Sequence, residues 1–235
     1  MSAKTFVLVH GAWHGGWAWV RVADRLRARG HRVFTPTLTG LGERAHLLHP
    51  GIDLSLHIAD VLGVIKYEQL TDFVLVGHSY GGCVISGMAE AVPVAIHSIV
   101  FLDAFIPDNG DATIDLVQPA VQEIIRAAAE RGATTVPVRD AAAFKVNEQD
   151  RAWVDSLAGP QPIATMTEKI RLTGARERIP KKSYIRASGY PNVSFEKAHA
   201  RAKATQGWRT YEVPCGHDVM IDEPDRLTEI LLEVA

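Results

Sequence analysis

Val74-Leu75-Val76-Gly77-His78-Ser79-Tyr80-Gly81-Gly82 is the stretch whose reading decides the fold. Residues 73–76 are an apolar run of β type. The chain then turns through Gly77-His78-Ser79-Tyr80-Gly81, which fits G-x-S-x-G, and residues 82–90 read as a helix. In that setting, strand then sharp turn then helix, the pentapeptide is a nucleophile elbow rather than an ordinary βα turn. The turn forces the serine into strained backbone geometry, so small neighbours are needed on both sides, and Gly77 and Gly81 supply them. Ser79 Oγ is then expected at the top of a sheet. The helix N-terminus beside it offers a positive dipole and free N–H groups that suit a developing oxyanion.

Working outward, the same alternation repeats. Residues 5–10, 31–34, 96–102, 183–187 and 208–213 read as further strands. Residues 17–29, 54–67, 194–205 and 225–234 read as helices. Continuous apolar strands separated by helices make a mostly parallel, doubly wound α/β sheet. Asp53 or Ser55 is placed to cap the helix over 54–67, and Gly30 to close the one before it. The alternation stops over 108–182, where helical patches at 118–131 and 148–157 are punctuated by five prolines and little strand is visible. That length is too great for a plain crossover. The reading is an α/β core over 1–107 and 183–235 with an inserted helical cap over 108–182.

The chain has 235 residues, 47% of them hydrophobic, enough for one medium domain with a full core. A formal charge of -2 gives no electrostatic case for nucleic acid or an anionic membrane as a partner. Cys83 and Cys215 are read as two small, half-buried thiols, since two cysteines make no disulfide framework. No His/Cys spacing suggests a metal site. Met1-Ser2-Ala3-Lys4 runs straight into a strand without a signal-peptide core, so a cytoplasmic location is expected.

A serine hydroxyl needs a base, and the base needs an orienting acid. In folds with this elbow the chain order is serine, acid, histidine, each after a strand. Ser79, Asp103 and His217 satisfy order and position together, with Glu196, after the strand over 183–187, as the rival acid. The oxyanion hole is assigned to the amides of Tyr80, directly after the nucleophile, and Ala12, in the loop after the first strand. His10, His14 and His78 sit in the site loops, where they shape the pocket or bond to backbone. Trp13, His14, His78 and Trp153 are expected to line the substrate pocket, with Phe144 and Met166 of the cap beside them.

Val9-His10-Gly11-Ala12-Trp13-His14-Gly15-Gly16-Trp17, the elbow, and Gly216-His217 resemble the α/β-hydrolase superfamily. The motifs are most similar to the branch that holds plant hydroxynitrile lyases, plant methyl-ester esterases and bacterial carboxylesterases of the pyrethroid-hydrolase type. The resemblance covers the chain apart from the cap, and three departures qualify it. The rubber-tree type of lyase carries threonine at the position of Gly11 and lysine at that of Asp218. A second lyase type relies on asparagine at the position of Ala12. Plant members also keep their acid after the strand over 183–187, where this chain has Ser188-Gly189-Tyr190-Pro191-Asn192, so Asp103 lies one strand earlier.

The resemblance therefore implies a carboxylesterase-like serine hydrolase acting on a small-molecule ester without metal or cofactor, with a homodimer left open. Hydrolysis of an amide, carbamate or lactone, C–C bond cleavage, hydroxynitrile lysis, or a ligand receptor on a hydrolase fold stand as alternatives.

Overall fold

The computed structural model describes residues 3–235; Met1 and Ser2, read above as leading into the first strand, lie outside the described residues. In chain order the core opens with β1 (Thr5–Val9), α1 (Val20–Ala28), β2 (Arg32–Phe34), α2 (Leu54–Tyr67), β3 (Phe73–His78), α3 (Gly81–Ala91) and β4 (Ile96–Leu102). The segment after β4 carries α4 (Thr113–Leu116), α5 (Pro119–Glu130), β5 (Thr135–Val136), α6 (Glu148–Leu157), β6 (Gln161–Pro162) and α7 (Ala164–Thr167). Next come β7 (Lys181–Ala187), α8 (Val193–Ala204), β8 (Trp208–Val213), α9 (Val219–Asp222) and α10 (Pro224–Val234).

Six strands form one parallel sheet in the order β2-β1-β3-β4-β7-β8. Each strand read from the sequence is present, and β7 begins two residues earlier than read. Local chemistry explains the boundaries. The Asp53 carboxylate accepts from the Leu56 N–H at 2.8 Å and caps α2, while Ser55 instead bonds Glu168. Asn192 caps α8 by accepting from the Ser194 and Phe195 N–H groups. Gly30 sits at φ +83° just past α1, as a left-handed helix end requires. The helix read over 17–29 is a 3-10 turn at Gly16–Trp19 followed by α1.

The chain goes from β1 to β2 on one side, then crosses back to β3 on the other. In such sheets the crevice beyond the C-terminal ends of the strands at this reversal is where ligands bind. The loop after β1 and the elbow after β3 are the two lips of that crevice.

The segment between β4 and β7 is mainly helical, with one element the sequence did not suggest. β5 and β6 pair antiparallel over two residues each. A two-residue strand shows no alternation, and Pro162 argues against one by sequence alone. Ile125, Val136, Phe144, Val154 and Met166 of this segment belong to the same buried apolar cluster as the sheet, so cap and sheet share one core. Cys83 and Cys215 are unpaired. Among the described residues no helix is long and apolar enough to cross a membrane.

Candidate active site

The elbow follows from close backbone approach. Ser79 adopts φ +53°, a conformation L-residues rarely take. A Cβ on Gly77 would lie 2.6 Å from the Gly81 carbonyl oxygen, and one on Gly81 would lie 2.8 Å from the carbonyl oxygens of Val9 and His10. Both positions therefore admit only glycine. The turn is pinned to β4, with the Ser79 N–H donating to Leu102 O at 3.2 Å and the Phe105 N–H donating to Ser79 O at 3.2 Å. Ser79 thus opens onto a pocket whose apolar wall includes Phe105, Val117, Val121, Met166 and Phe195.

His217 stands in the same wall, on the loop after β8. Its Nδ1 donates to Asp103 Oδ2 at 2.7 Å, which leaves Nε2 as the basic nitrogen toward the pocket. Phe195 stacks on the ring at 5.0 Å between centroids and 13° between planes, and Tyr190 covers it at 4.8 Å. Asp103 is fully buried, at φ +40°, just past β4. Its other oxygen accepts from Arg186 at 2.7 Å and from the Ala187 N–H at 3.1 Å. The rival Glu196 is 56% exposed, and its nearest cation is Arg186 at 3.8 Å. So the structure brings Asp103, not Glu196, to His217. β4 and β7 are neighbours, which is why a carboxylate after either strand reaches the same place. Ser79 and His217 share the pocket wall, but no hydrogen bond between their side chains is closed in this conformation, as is common before substrate binds.

The loop after β1 and the elbow after β3 each present one amide. Ala12 and Tyr80 both line the pocket beside Ser79. Among the described residues neither N–H donates to a protein group. His10 Nδ1 donates to the Gly11 carbonyl at 2.8 Å, and His10 Nε2 accepts from the Leu38 N–H at 3.0 Å. Both bonds need the neutral ring, and burial agrees by depressing its pKa to about 3. In a trans peptide the N–H points opposite the carbonyl. Holding Gly11 O back against His10 therefore turns the Ala12 N–H forward, toward the crevice.

Two of the expected pocket histidines stand behind the wall instead of in it. His14 Nδ1 donates to Ala12 O at 2.7 Å and Nε2 meets Asp218 Oδ2 at 3.1 Å. Burial opposes charge on His14, but the Asp218 carboxylate and these hydrogen bonds outweigh it and raise the pKa. Asp218 is fully buried, which would favour its neutral form, yet His14 holds it well below the usual carboxylate range. Together they make a buried ion pair under the loop that follows β1. His78 Nε2 donates to the His217 carbonyl at 3.1 Å. Burial, then the neighbouring His217, keeps it neutral and pushes its pKa well down. Its Nδ1 faces Gly11, where an added Cβ would lie 2.8 Å away.

Trp153 is the third correction. It meets Trp17 edge-on at 5.3 Å with the Arg21 guanidinium over it at 5.1 Å, outside the pocket lining. An aromatic on an amphipathic cap helix looks the same in sequence whether it faces a ligand or a neighbouring element. Trp13, Phe144 and Met166 do line the pocket.

Sequence reasoning missed Arg186, Asp218 in its buried role, and Gln161. Arg186 carried a signal, a cation between the apolar Ile185 and Ala187 at the C-terminal end of a strand. Asp218 and Gln161 carried none, because their partners are far away in the chain.

The ligand-type atoms of His78, His217 and Asp218 come within 4.8 Å of one another. Each of these residues already spends one such atom on a protein partner, and His78 Nδ1 lies against the Gly11 backbone. The cluster therefore reads as a hydrogen-bonded wall.

Comparison with known proteins agrees with this geometry. Residues 6–230 match the Alpha/beta hydrolase family. The chain is 41% identical over 235 residues to the carbendazim hydrolyzing esterase of Nocardioides sp. (strain SG-4G), covering 96% of this chain and 97% of that one. A local match, 37% over 111 residues, covers 46% of this chain and 42% of salicylic acid-binding protein 2 from Nicotiana tabacum. Among solved structures, an extracellular alpha/beta-hydrolase from a Paenibacillus species superposes with TM-score 0.86 at 27% identity, covering 99% of both chains. That protein is described as sharing structural and functional homology with the tobacco protein. With the family matched over nearly the whole chain and an esterase relative aligned end to end, this chain belongs to the α/β-hydrolase family, as an esterase-like enzyme.

Proposed function

We propose that the chain hydrolyses a small, largely apolar carboxylic ester through an acyl-enzyme. The observation that carries the reading is the His217–Asp103 hydrogen bond of 2.7 Å standing in one apolar pocket with Ser79 and two unpartnered amides. Ser79 Oγ attacks the ester carbonyl and passes its proton to His217 Nε2. The amides of Ala12 and Tyr80 hold the oxyanion, and Asp103 stabilises the imidazolium. As the intermediate collapses, the alcohol leaves with the proton from His217. Water then attacks the acyl-enzyme, giving its proton to the same nitrogen, and Ser79 is released with the carboxylic acid.

A second reading on the same residues is hydrolysis of a carbamate ester, favoured by the relative named for hydrolysing carbendazim. Hydroxynitrile lysis is disfavoured by space and charge. A side chain at position 11 would start 2.8 Å from His78 Nδ1 and 3.0 Å from Ser79 Cβ. Asp218, where the rubber-tree type has lysine, is turned away to His14, so that position offers no cation beside His217. A cytoplasmic location is proposed with this reading, on two unpaired cysteines, and fractionation tests it.

The test is a panel of methyl, ethyl and aryl esters, with carbendazim and mandelonitrile included, on wild type and Ser79→Ala. Wild type should cleave short apolar esters and label with a fluorophosphonate. Ser79→Ala should stay folded, lose labelling, and lose roughly 10⁴-fold or more in kcat. Near-normal turnover by a folded Ser79→Ala protein would refute the nucleophile. Rapid cyanide release from mandelonitrile would restore the lyase reading, and no labelling at all would favour a receptor.

A further inference from the structure

The oxyanion loop is held from outside the sheet. Trp13, next to the donor Ala12, sits at φ +65°, a left-handed conformation that a bulky side chain adopts only when its surroundings over-determine it. The surroundings come from the cap. The Trp13 N–H donates to Gln161 Oε1 at 3.0 Å, and the Trp13 carbonyl accepts from the Gly159 N–H at 2.9 Å. Gln161 lies in β6, 148 positions along the chain from Trp13, and is fully buried. Its own amide is fixed, since Nε2 donates to Thr165 Oγ1 at 2.7 Å and Thr165 Oγ1 donates to the Pro162 carbonyl at 2.6 Å.

Followed atom by atom, the loop shows a pattern. Gly11 O is taken by His10, Ala12 O by His14, Trp13 N–H by Gln161 and Trp13 O by Gly159. Of the backbone polar groups from Gly11 O to Trp13 O, the Ala12 N–H alone has no partner among the described residues. The Ala12–Trp13 peptide is clamped at both ends, its carbonyl by a core histidine and its N–H by a cap glutamine. Rotation of that peptide would swing the Ala12 N–H off the position where an oxyanion forms, as the two peptides share the Ala12 Cα.

We infer that Gln161 is a positioning residue for the oxyanion hole: through Trp13 it fixes the aim of the Ala12 N–H and so couples the cap to the Ser79 chemistry. This rests on the hydrolase reading above. Gln161 does not line the pocket and touches no substrate. Its effect should therefore fall on the transition state and leave ground-state binding unchanged.

The test uses the full chain and a reactive ester that wild type cleaves. Gln161→Met keeps the length but removes the acceptor. It should lower kcat about 10- to 100-fold, since a small misplacement of a reacting group can cost that much, with KM within about threefold of wild type. Inhibition by a trifluoromethyl ketone analogue, whose adduct places an oxyanion in the hole, should weaken by the same factor as kcat/KM. Binding of the unreactive product acid should not change. Gln161→Glu keeps an acceptor oxygen toward Trp13 and in its neutral form donates to Thr165, so it should retain most of the wild-type kcat and keeps the test open if the methionine variant does not fold. A wild-type kcat in folded Gln161→Met would overturn the inference. Equal weakening of product and ketone binding would also do so, as would a Gln161→Glu protein as slow as the Ser79→Ala background. Failure of the underlying hydrolase reading shows separately, as wild-type turnover that Ser79→Ala does not abolish.

Discussion

Asp103 does two things at once, and they are separable. Oδ2 orients His217, while Oδ1 accepts from Arg186 and from the Ala187 N–H. Asp103→Asn should cut kcat roughly 10²- to 10⁴-fold with little change in KM, because the amide allows the wrong histidine tautomer. Glu196→Gln should leave steady-state kinetics nearly unchanged, since that side chain is mostly exposed and does not bond His217. A slow Glu196→Gln enzyme beside a normal Asp103→Asn one would move the acid to α8. Arg186 is 5% exposed in its side chain and paired to a carboxylate of zero exposure. Removing Arg186 leaves the buried Asp103 charge without its cation, held only by His217 and the Ala187 N–H. Arg186→Met is accordingly expected to lower stability by about 3–5 kcal/mol in denaturant unfolding.

At the scale of elements, the residues of the proposed chemistry are gathered where strands end. β1, β3, β4 and β8 deliver the oxyanion loop, Ser79, Asp103 and His217 to one edge of the sheet. The price in backbone freedom is local: Trp13, Ser79 and Asp103 all have positive φ. Gly77→Ala tests how tight the elbow is, because its Cβ would strike backbone atoms at 2.6 and 2.8 Å. A loss of about 1–3 kcal/mol is expected, together with reduced kcat as the turn shifts. Gly87→Ala is the control, since the contact it would make is with the end of the Ile58 side chain, which can rotate away. If the two substitutions cost the same, close backbone approach is not what holds the elbow. The cap belongs to the same design. Its Gln161 holds the oxyanion loop, and its Phe144 carbonyl accepts from the His217 N–H at 2.9 Å.

Across the whole molecule, three buried histidines are kept neutral. His10, His57 and His78 all have pKa values lowered chiefly by burial. An unfolded histidine titrates near 6.5, so between that value and the lower folded one only the unfolded chain gains the proton. For His10 that window runs from about 6.5 down to about 3, and stability falls as pH falls through it. Within its own window each such histidine contributes a slope of up to about 1.4 kcal/mol per pH unit. His14 works the other way. Its raised pKa stabilises the fold fully below the unfolded value and that contribution is lost as pH rises through the folded one. The His14 window lies above 6.5, so below it the three neutral histidines set the trend and the protein should lose stability on mild acidification below about pH 6.5. Melting temperature against pH measures this, and His10→Gln should flatten the acid limb; an unchanged slope would count against His10 as a source.

The elbow, the six strands and the long helices were legible in the sequence because local chemistry writes them. Apolar runs of strand length, the glycines at 77 and 81, the cap at Asp53 and the helix end at Gly30 act over a few residues. Ser79, Asp103 and His217 could be singled out for the same reason, since Ser79 and Asp103 directly follow strands and His217 lies in the short loop after one. What only the tertiary structure decided depends on groups far apart in the chain. Asp103 and Glu196 are both admissible by sequence because β4 and β7 are neighbours, and what separates them is the 2.7 Å bond from His217 Nδ1 to Asp103 and the exposure of Glu196. His14 and His78 share loops with the site, yet they face Asp218 and a backbone carbonyl behind the wall, and only three-dimensional packing sets which side of a loop a ring occupies. Trp153 and Gln161 sit in the same cap, one packed outward on Trp17 and one reaching the oxyanion loop. Local sequence carries no term that tells them apart, because the cap's hydrophobic faces are defined by the sheet they land on.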